Sequence, residues 1–128
     1  MKQSNIGVAV VGAGRIGTLR ARLAAKHPSV RFLAISDRDP ARARALADAA
    51  GADLCSGDND EVISHPEVTA VIVSTPEQQH TQPVLKALEL GKPVLVEKPI
   101  GFSLRDADRI LTTLHATKGE LRVGYSRR

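Results

Sequence analysis

Residues Val10 to His27 read VVGAGRIGTLRARLAAKH and place three glycines, Gly12, Gly14 and Gly17, within the first eight positions. Upstream, Ile6 to Val11 (IGVAVV) is a short apolar run rich in β-branched residues, the pattern of a strand buried on both faces of a parallel sheet. Downstream the period changes. Ile16, Leu19, Leu23 and Ala24 recur at helical spacing with Arg and Lys opposite them, which predicts a helix packed through those four residues and ending near His27-Pro28. Glycines between such a strand and such a helix allow a tight turn, and they leave the helix amides open to an anion.

The alternation of strand and helix continues outward from this segment. Phe32 to Ser36 (FLAIS) is a second strand, and Asp39-Pro40 supplies an N-cap and a first helical residue for an Ala/Arg-rich helix that reaches Ala50 and stops at Gly51. A weaker strand at Asp53 to Cys55 precedes the polar loop SGDND and a short helical turn. Ala70 to Ser74 (AVIVS) is a clearer buried strand. The helix after it, from about Glu77, turns Val84, Leu85 and Leu88 inward and ends with Gly91 at C′. Pro93 to Val96 (PVLV) is the next strand, Ser103 and Asp106 resemble a capping box before a helix carrying Ile110, Leu111 and Leu114, and LRVGY is the last strand.

Six strands joined through helices predict a doubly wound α/β fold, because each parallel return needs a crossover long enough to hold a helix. Right-handed crossovers give the strand order 3-2-1-4-5-6, with a ligand crevice beyond the carboxyl ends of strands one and four. In that setting Gly12-Ala13-Gly14-Arg15-Ile16-Gly17 is a full G-x-G-x-x-G, and Asp37 follows Gly17 by twenty residues at the end of the second strand. Gly12 permits the turn, Gly14 lets a pyrophosphate approach, Gly17 lets helix and strand close up, and the amides near Arg15 and Ile16 face the phosphates. Asp37 is placed to accept from ribose hydroxyls and to repel a 2′-phosphate, which favours NAD. Arg38, with Arg42 one helical turn on, keeps NADP open as a second cofactor.

Composition narrows the classes further. The chain of 128 residues is 42% hydrophobic and 25% charged, as expected of one globular domain with a modest core. Its apolar runs are far shorter than a membrane helix requires, and MKQSNIGV leads into a strand with no signal-peptide core, so a cytoplasmic protein is expected. One cysteine, Cys55, cannot form an internal disulfide, and no Cys/His spacing suggests a metal. The net charge of +4 comes with two Phe, one Tyr and no Trp, too few stacking rings to support nucleic-acid binding.

Two further segments fall at the same crevice: STPEQQH, Ser74 to His80, after the fourth strand, and VEKPIG, Val96 to Gly101, after the fifth. With the glycine turn, Thr75-Pro76, His80 and Glu97-Lys98-Pro99 in this order, the whole chain resembles the N-terminal domain of the glucose-fructose oxidoreductase, inositol dehydrogenase and rhizopine catabolism (Gfo/Idh/MocA) family. The resemblance implies an NAD(P)-dependent oxidoreductase that moves hydride between nicotinamide and a sugar, inositol or related polyol. It implies that Lys98 is catalytic, binding the reacting hydroxyl and assisting its proton transfer. Glu97 and Pro99 would shape the nicotinamide site, and Ser74, Thr75, Pro76 and His80 would line the cofactor. Lys98-Pro99 is open to either isomer.

On this reading residues 1–124 form the NAD(P)-binding domain and 125–128 begin the connection to a C-terminal substrate domain, with Ser126 where the family commonly has Asn. Without that domain the chain is expected to bind cofactor with little turnover. The other reading left open is a free-standing dinucleotide-binding or sensor module acting through a partner chain. The partners expected are the dinucleotide and a small polyol, with homo-oligomerisation open, and neither nucleic acid nor membrane.

Overall fold

The computed structural model describes residues 6–75, 81–97 and 104–124. Along the chain run β1 (Ile6–Val11), α1 (Arg15–Lys26), β2 (Val30–Ser36), α2 (Pro40–Ala50), β3 (Leu54–Ser56) and α3 (Asn59–Ile63). They continue with β4 (Ala70–Val73), α4 (Thr81–Glu89), β5 (Val94–Glu97), α5 (Leu104–Thr117) and β6 (Leu121–Gly124). The strands form one six-stranded sheet in the order β3-β2-β1-β4-β5-β6, every pairing parallel. This is the doubly wound fold and strand order predicted from the alternation of elements. Because β1 is hydrogen-bonded to β2 on one side and β4 on the other, the chain reverses its winding there, and the carboxyl ends of β1 and β4 part around a crevice.

Alternate residues of β1 serve the two faces of the sheet. Val8 and Val10 join Leu33, Ile35, Ala43, Leu46 and Ala47 in one apolar cluster. Ala9 and Val11 join Val71, Val73, Val84, Leu88, Val96 and Ile110 in the other. The inward side of α4 is as predicted, and so is the arrangement of α2. Asp39 accepts from the Ala41 N–H at 3.0 Å, Pro40 is the first helical residue, and Gly51 ends the helix at φ +72°. Gly91 ends α4 in the same way at φ +76°, with the Gly91 and Lys92 amides donating to the Leu88 and Ala87 carbonyls.

The packing face of α1 differs from the one its large apolar residues suggest. Leu19 and Leu23 are 51% and 54% exposed, whereas Ala21 is fully buried and Ala24 packs against the cluster around Val10. The reason is Gly17. A Cβ there would stand 1.8 Å from the Gly12 carbonyl oxygen, so the helix lies too close to the sheet for leucines and presents the small residues Gly17, Ala21 and Ala24 at i, i+4 and i+7. Leu111 of α5 likewise lies outward, 52% exposed, while Ile110 is buried and Leu114 packs on the core. Ser103 lies outside the described residues, and the side chain of Asp106 does as well.

One polar contact fastens the α3 corner. The Lys92 ammonium donates to the carbonyls of Ile63 and His65, where α3 ends. Burial holds its pKa below the ordinary 10.5. The folded chain therefore releases this proton before the unfolded chain does, and the cost of burying the charge falls as pH rises toward 10.5. Lys92→Met should lower stability at neutral pH by about 1–2 kcal/mol, read as a shift in urea midpoint at unchanged slope. An unshifted midpoint would show that water replaces the ammonium without loss.

Candidate functional site

The glycine turn is built by contact between the ends of β1 and β4. Gly12 has φ +103°, a conformation that disfavours any side chain, and a Cβ there would stand 2.8 Å from the Ser74 carbonyl carbon and oxygen. Its N–H donates to the Ser36 carbonyl at 2.8 Å, which ties the turn to β2. Gly14 is the residue before α1, and among the described residues a terminal guanidinium nitrogen of Arg42 lies 3.3 Å from where a Cβ would stand. Arg15 and Ile16 lie in the first turn of α1 by backbone; their side chains are outside the described set.

That first turn is left open at its positive end. No side chain caps it and it contains no acidic residue, unlike α2 and α3, which Asp39 and Asp58 cap. Helix N-terminal amides that no side chain caps among the described residues, fronted by a glycine with no side chain, form a seat for an anion. Beside this seat, the Ser74 hydroxyl is buried without a hydrogen-bond partner among the described residues, and Thr75 is 9% exposed. The Ser74 N–H donates to the Val11 carbonyl at 2.8 Å, extending the β1–β4 pairing to the lip of the crevice.

Asp37 closes the other side. One carboxylate oxygen accepts from the Ala13 N–H at 2.7 Å and the other from the Asp39 N–H at 2.9 Å, so this side chain joins the glycine turn to the start of α2. Each oxygen keeps room for another donor. Arg38 is exposed. Arg42 Nε lies 4.0 Å from the Asp37 oxygen that accepts from Ala13. The sequence-predicted residues Gly12, Gly14, Gly17, Asp37, Ser74 and Thr75 therefore meet around one crevice. Glu97 is the last residue of β5, with only its backbone described, and Pro76, His80, Lys98 and Pro99 lie outside the described residues.

The sequence reading missed Ser36 as a positioning residue. It is fully buried, its hydroxyl donates to Asn59 Oδ1 at 2.7 Å, and its carbonyl receives the Gly12 amide. The signal was one polar residue closing an otherwise apolar strand directly before the acidic residue. A second concavity is lined, among the described residues, by Leu85, Glu89, Arg105, Asp108, Arg109, Thr112 and Thr113 of α4 and α5. Among the described residues no His/Cys/Asp/Glu group has the makings of a metal site, and no helix is long and apolar enough to cross a membrane.

The family model for the NAD-binding Rossmann fold of the GFO_IDH_MocA oxidoreductases matches residues 6–125. The chain belongs to that family. Among its GFO_IDH_MocA relatives, scyllo-inositol 2-dehydrogenase (NAD(+)) of Bacillus subtilis is 34% identical over 121 residues, covering 94% of this chain and 35% of the relative. Inositol 2-dehydrogenase of Rhizobium meliloti is 32% identical over 119 residues, covering 93% of this chain and 36% of the relative. The crystal structure of scyllo-inositol dehydrogenase from Lactobacillus casei with bound NAD(H) and scyllo-inositol superposes with a TM-score of 0.83 at 26% identity, covering 96% of this chain and 36% of that one. This chain thus spans just over a third of the length of these relatives.

As a GFO_IDH_MocA member the chain carries that family's NAD-binding Rossmann fold. Its residues fit the cofactor on their own chemistry. The uncapped turn suits a pyrophosphate, the two-sided acceptor Asp37 suits a ribose diol, and the orphaned Ser74 hydroxyl suits a polar ligand atom in the crevice.

Proposed function

We propose that this chain is the cofactor-binding part of an oxidoreductase that transfers hydride between nicotinamide and a sugar, inositol or related polyol. The single observation that carries the reading is the joining of Asp37 to the glycine turn through the Ala13 amide, beside the uncapped N-terminus of α1. The amides of Arg15, Ile16 and Gly17 hold the pyrophosphate over Gly12 and Gly14, and Asp37 accepts from the adenosine ribose. Arg38 borders the adenosine end. Ser74, Thr75, Pro76, His80 and Glu97 line the way toward the nicotinamide, and Lys98 binds the reacting hydroxyl and takes part in its proton transfer.

The cofactor supplies the hydride acceptor at its nicotinamide; the chain supplies orientation and charge. Residues 1–124 serve as the NAD(P)-binding domain and 125–128 begin the link to a substrate-binding part. The relatives' names carry the polyol class: two inositol dehydrogenases and a structure holding scyllo-inositol. These 128 residues by themselves bind cofactor with little turnover, because a substrate must also be oriented, and orientation supplies about 7–11 kcal/mol of barrier reduction in well-aligned reactions.

The test is calorimetric titration with NADH. Asp37→Ala should raise the NADH Kd by about tenfold or more, the effect of losing a charge-assisted hydrogen bond to the ribose, while a 2′-deoxyribose analogue loses less. Equal affinity in the variant and the parent would remove Asp37 from the ribose site.

A further inference from the structure

We infer that the sheet face beside α1, over β4, β5 and β6, is an interaction surface for one amphipathic helix with an acidic flank, supplied by the substrate-binding part of the protein. Only the source of that helix rests on the reading above. Strands of a parallel sheet are ordinarily covered on both faces. On one face α4 and α5 do this, with Val84, Leu88 and Ile110 packed in a cluster with Val71, Val73 and Val96. On the other, α1 and α2 cover β1 and β2 through Ala21, Ala43 and Leu46, and among the described residues no helix lies beyond them. Ile72, Leu95 and Arg122 stand side by side there, in register on β4, β5 and β6. Ile72 is half-buried at the margin of the α1–α2 cluster, Leu95 is half-buried and among the described residues belongs to neither apolar cluster, and Arg122 is exposed.

Width, shape and charge decide what fits. From β4 to β6 there are two strand spacings of about 4.8 Å each, so the open floor is about 10 Å across, the width of a single helix. One wall is α1. Right-handed crossovers put α2 on the β2 side of α1, and at about 100° per residue from the inward stripe of Gly17, Ala21 and Ala24, the exposed Leu19 and Leu23 fall on the flank away from α2, on the β4 side. Floor and wall together form an apolar corner that suits the leucine stripe of an amphipathic helix. Charge selects the flank of that helix. α1 holds Arg15, Arg20, Arg22 and Lys26 and no acidic residue, and Arg22 and Lys26 are exposed one turn apart on its solvent side. A second copy of α1 would bring the same cations and be repelled, whereas glutamates beside a leucine stripe would meet them. Because this chain spans just over a third of its inositol dehydrogenase relatives, a protein of their length has ample further chain to supply the helix.

The probe is a labelled synthetic helix of about five turns, with leucines at i, i+3, i+4 and i+7 and glutamates on one flank, titrated against the full chain by fluorescence anisotropy. A second peptide carries lysines in place of the glutamates. The acidic peptide should bind saturably and the basic one about tenfold more weakly or worse. Leu23→Lys and Leu95→Lys should each weaken the acidic peptide by about tenfold or more, with the NADH Kd shifted by less than about threefold. Leu23 is 54% exposed, so that variant should melt with the parent. The polypeptide that includes the substrate-binding part should refuse the peptide, because its own helix fills the corner. Equal binding of both peptides, binding of neither, or affinity untouched by Leu23→Lys would overturn the inference. So would a longer polypeptide that takes the peptide as readily as this chain does. Sedimentation as a dimer that Leu23→Lys dissolves would hand the face to a second copy instead, and Leu23-dependent binding to phosphatidylserine vesicles, with none to the peptide, would hand it to a membrane. A chain that takes the acidic peptide and no NADH keeps this surface and loses the cofactor assignment.

Discussion

Gly17→Ala should destabilise the protein by about 3 kcal/mol and remove measurable NADH binding, an effect out of proportion to one methyl group. The added Cβ would stand 1.8 Å from the Gly12 carbonyl oxygen and 2.9 Å from its carbon. Both are backbone atoms of the turn, so no side chain can swing aside. Either α1 retreats from the sheet, opening space around Ala21 and Ala24, or the turn is pushed against Ser74 and Thr75, which already crowd Gly12. Both outcomes displace the amides that form the anion seat. Gly14→Ala is the control, because among the described residues its Cβ would meet only the far end of the Arg42 side chain. It should leave thermal stability within about 1 kcal/mol of the parent while still weakening NADH, since the methyl group occupies the approach to the turn. If Gly17→Ala melts with the parent, the close approach of α1 is not what holds this helix.

The contrast between these two glycines also explains what the sequence disclosed and what it hid. The fold was legible because strand order follows from the alternation of elements and from right-handed crossovers, which are insensitive to side-chain detail. Helix ends were legible where a residue has one mechanical use: Asp39-Pro40 at a start, Gly51 and Gly91 at stops. The buried face of α1 was not, because periodicity weighs Leu19 and Leu23 above alanines. What sets that face is a distance, fixed by Gly17. Positions 17, 21 and 24 do form a small-residue stripe in the sequence, but only the approach to Gly12 gives it meaning.

The candidate site divides along the same line. The candidates picked by spacing, the three glycines and Asp37 at its set distance from them, do come together at one crevice. Ser36 acts through a contact with a segment far away in the chain, Asn59, and spacing carries no trace of that pairing. Arg42 was placed near the crevice by its spacing from Arg38, but its approach to Gly14 was not. Ser74 lies between these cases. Its position after an apolar strand was informative, but its unpartnered hydroxyl became apparent only when the β1 and β4 ends met.

The largest effect on catalysis is expected at Lys98. In NAD the adenosine and nicotinamide ends lie apart on either side of the pyrophosphate. On the proposed reading, with Asp37 following β2 and the glycine turn following β1, the nicotinamide half would extend over β4 toward β5. β5 runs parallel to β4 in register, Val73 opposite Val96, and ends at Glu97; Lys98 is the next residue of the chain. Alcohol oxidation requires the hydroxyl proton to leave as hydride departs, and a lysine amine in contact with that oxygen can offset the developing negative charge or take up the proton. Lys98→Ala should therefore lower kcat by about 10²–10⁴-fold in the protein that includes its substrate-binding part, with the NADH Kd changed by less than about threefold. Lys98→Arg separates proton transfer from charge. It retains a cation that does not titrate in the working range, so turnover should stay low and the lysine's limb of the pH–rate profile should disappear. If Lys98→Arg restores turnover with an unchanged profile, Lys98 acts as a fixed charge and another group carries the proton. If Lys98→Ala turns over as the parent does, the catalytic assignment to this lysine is wrong.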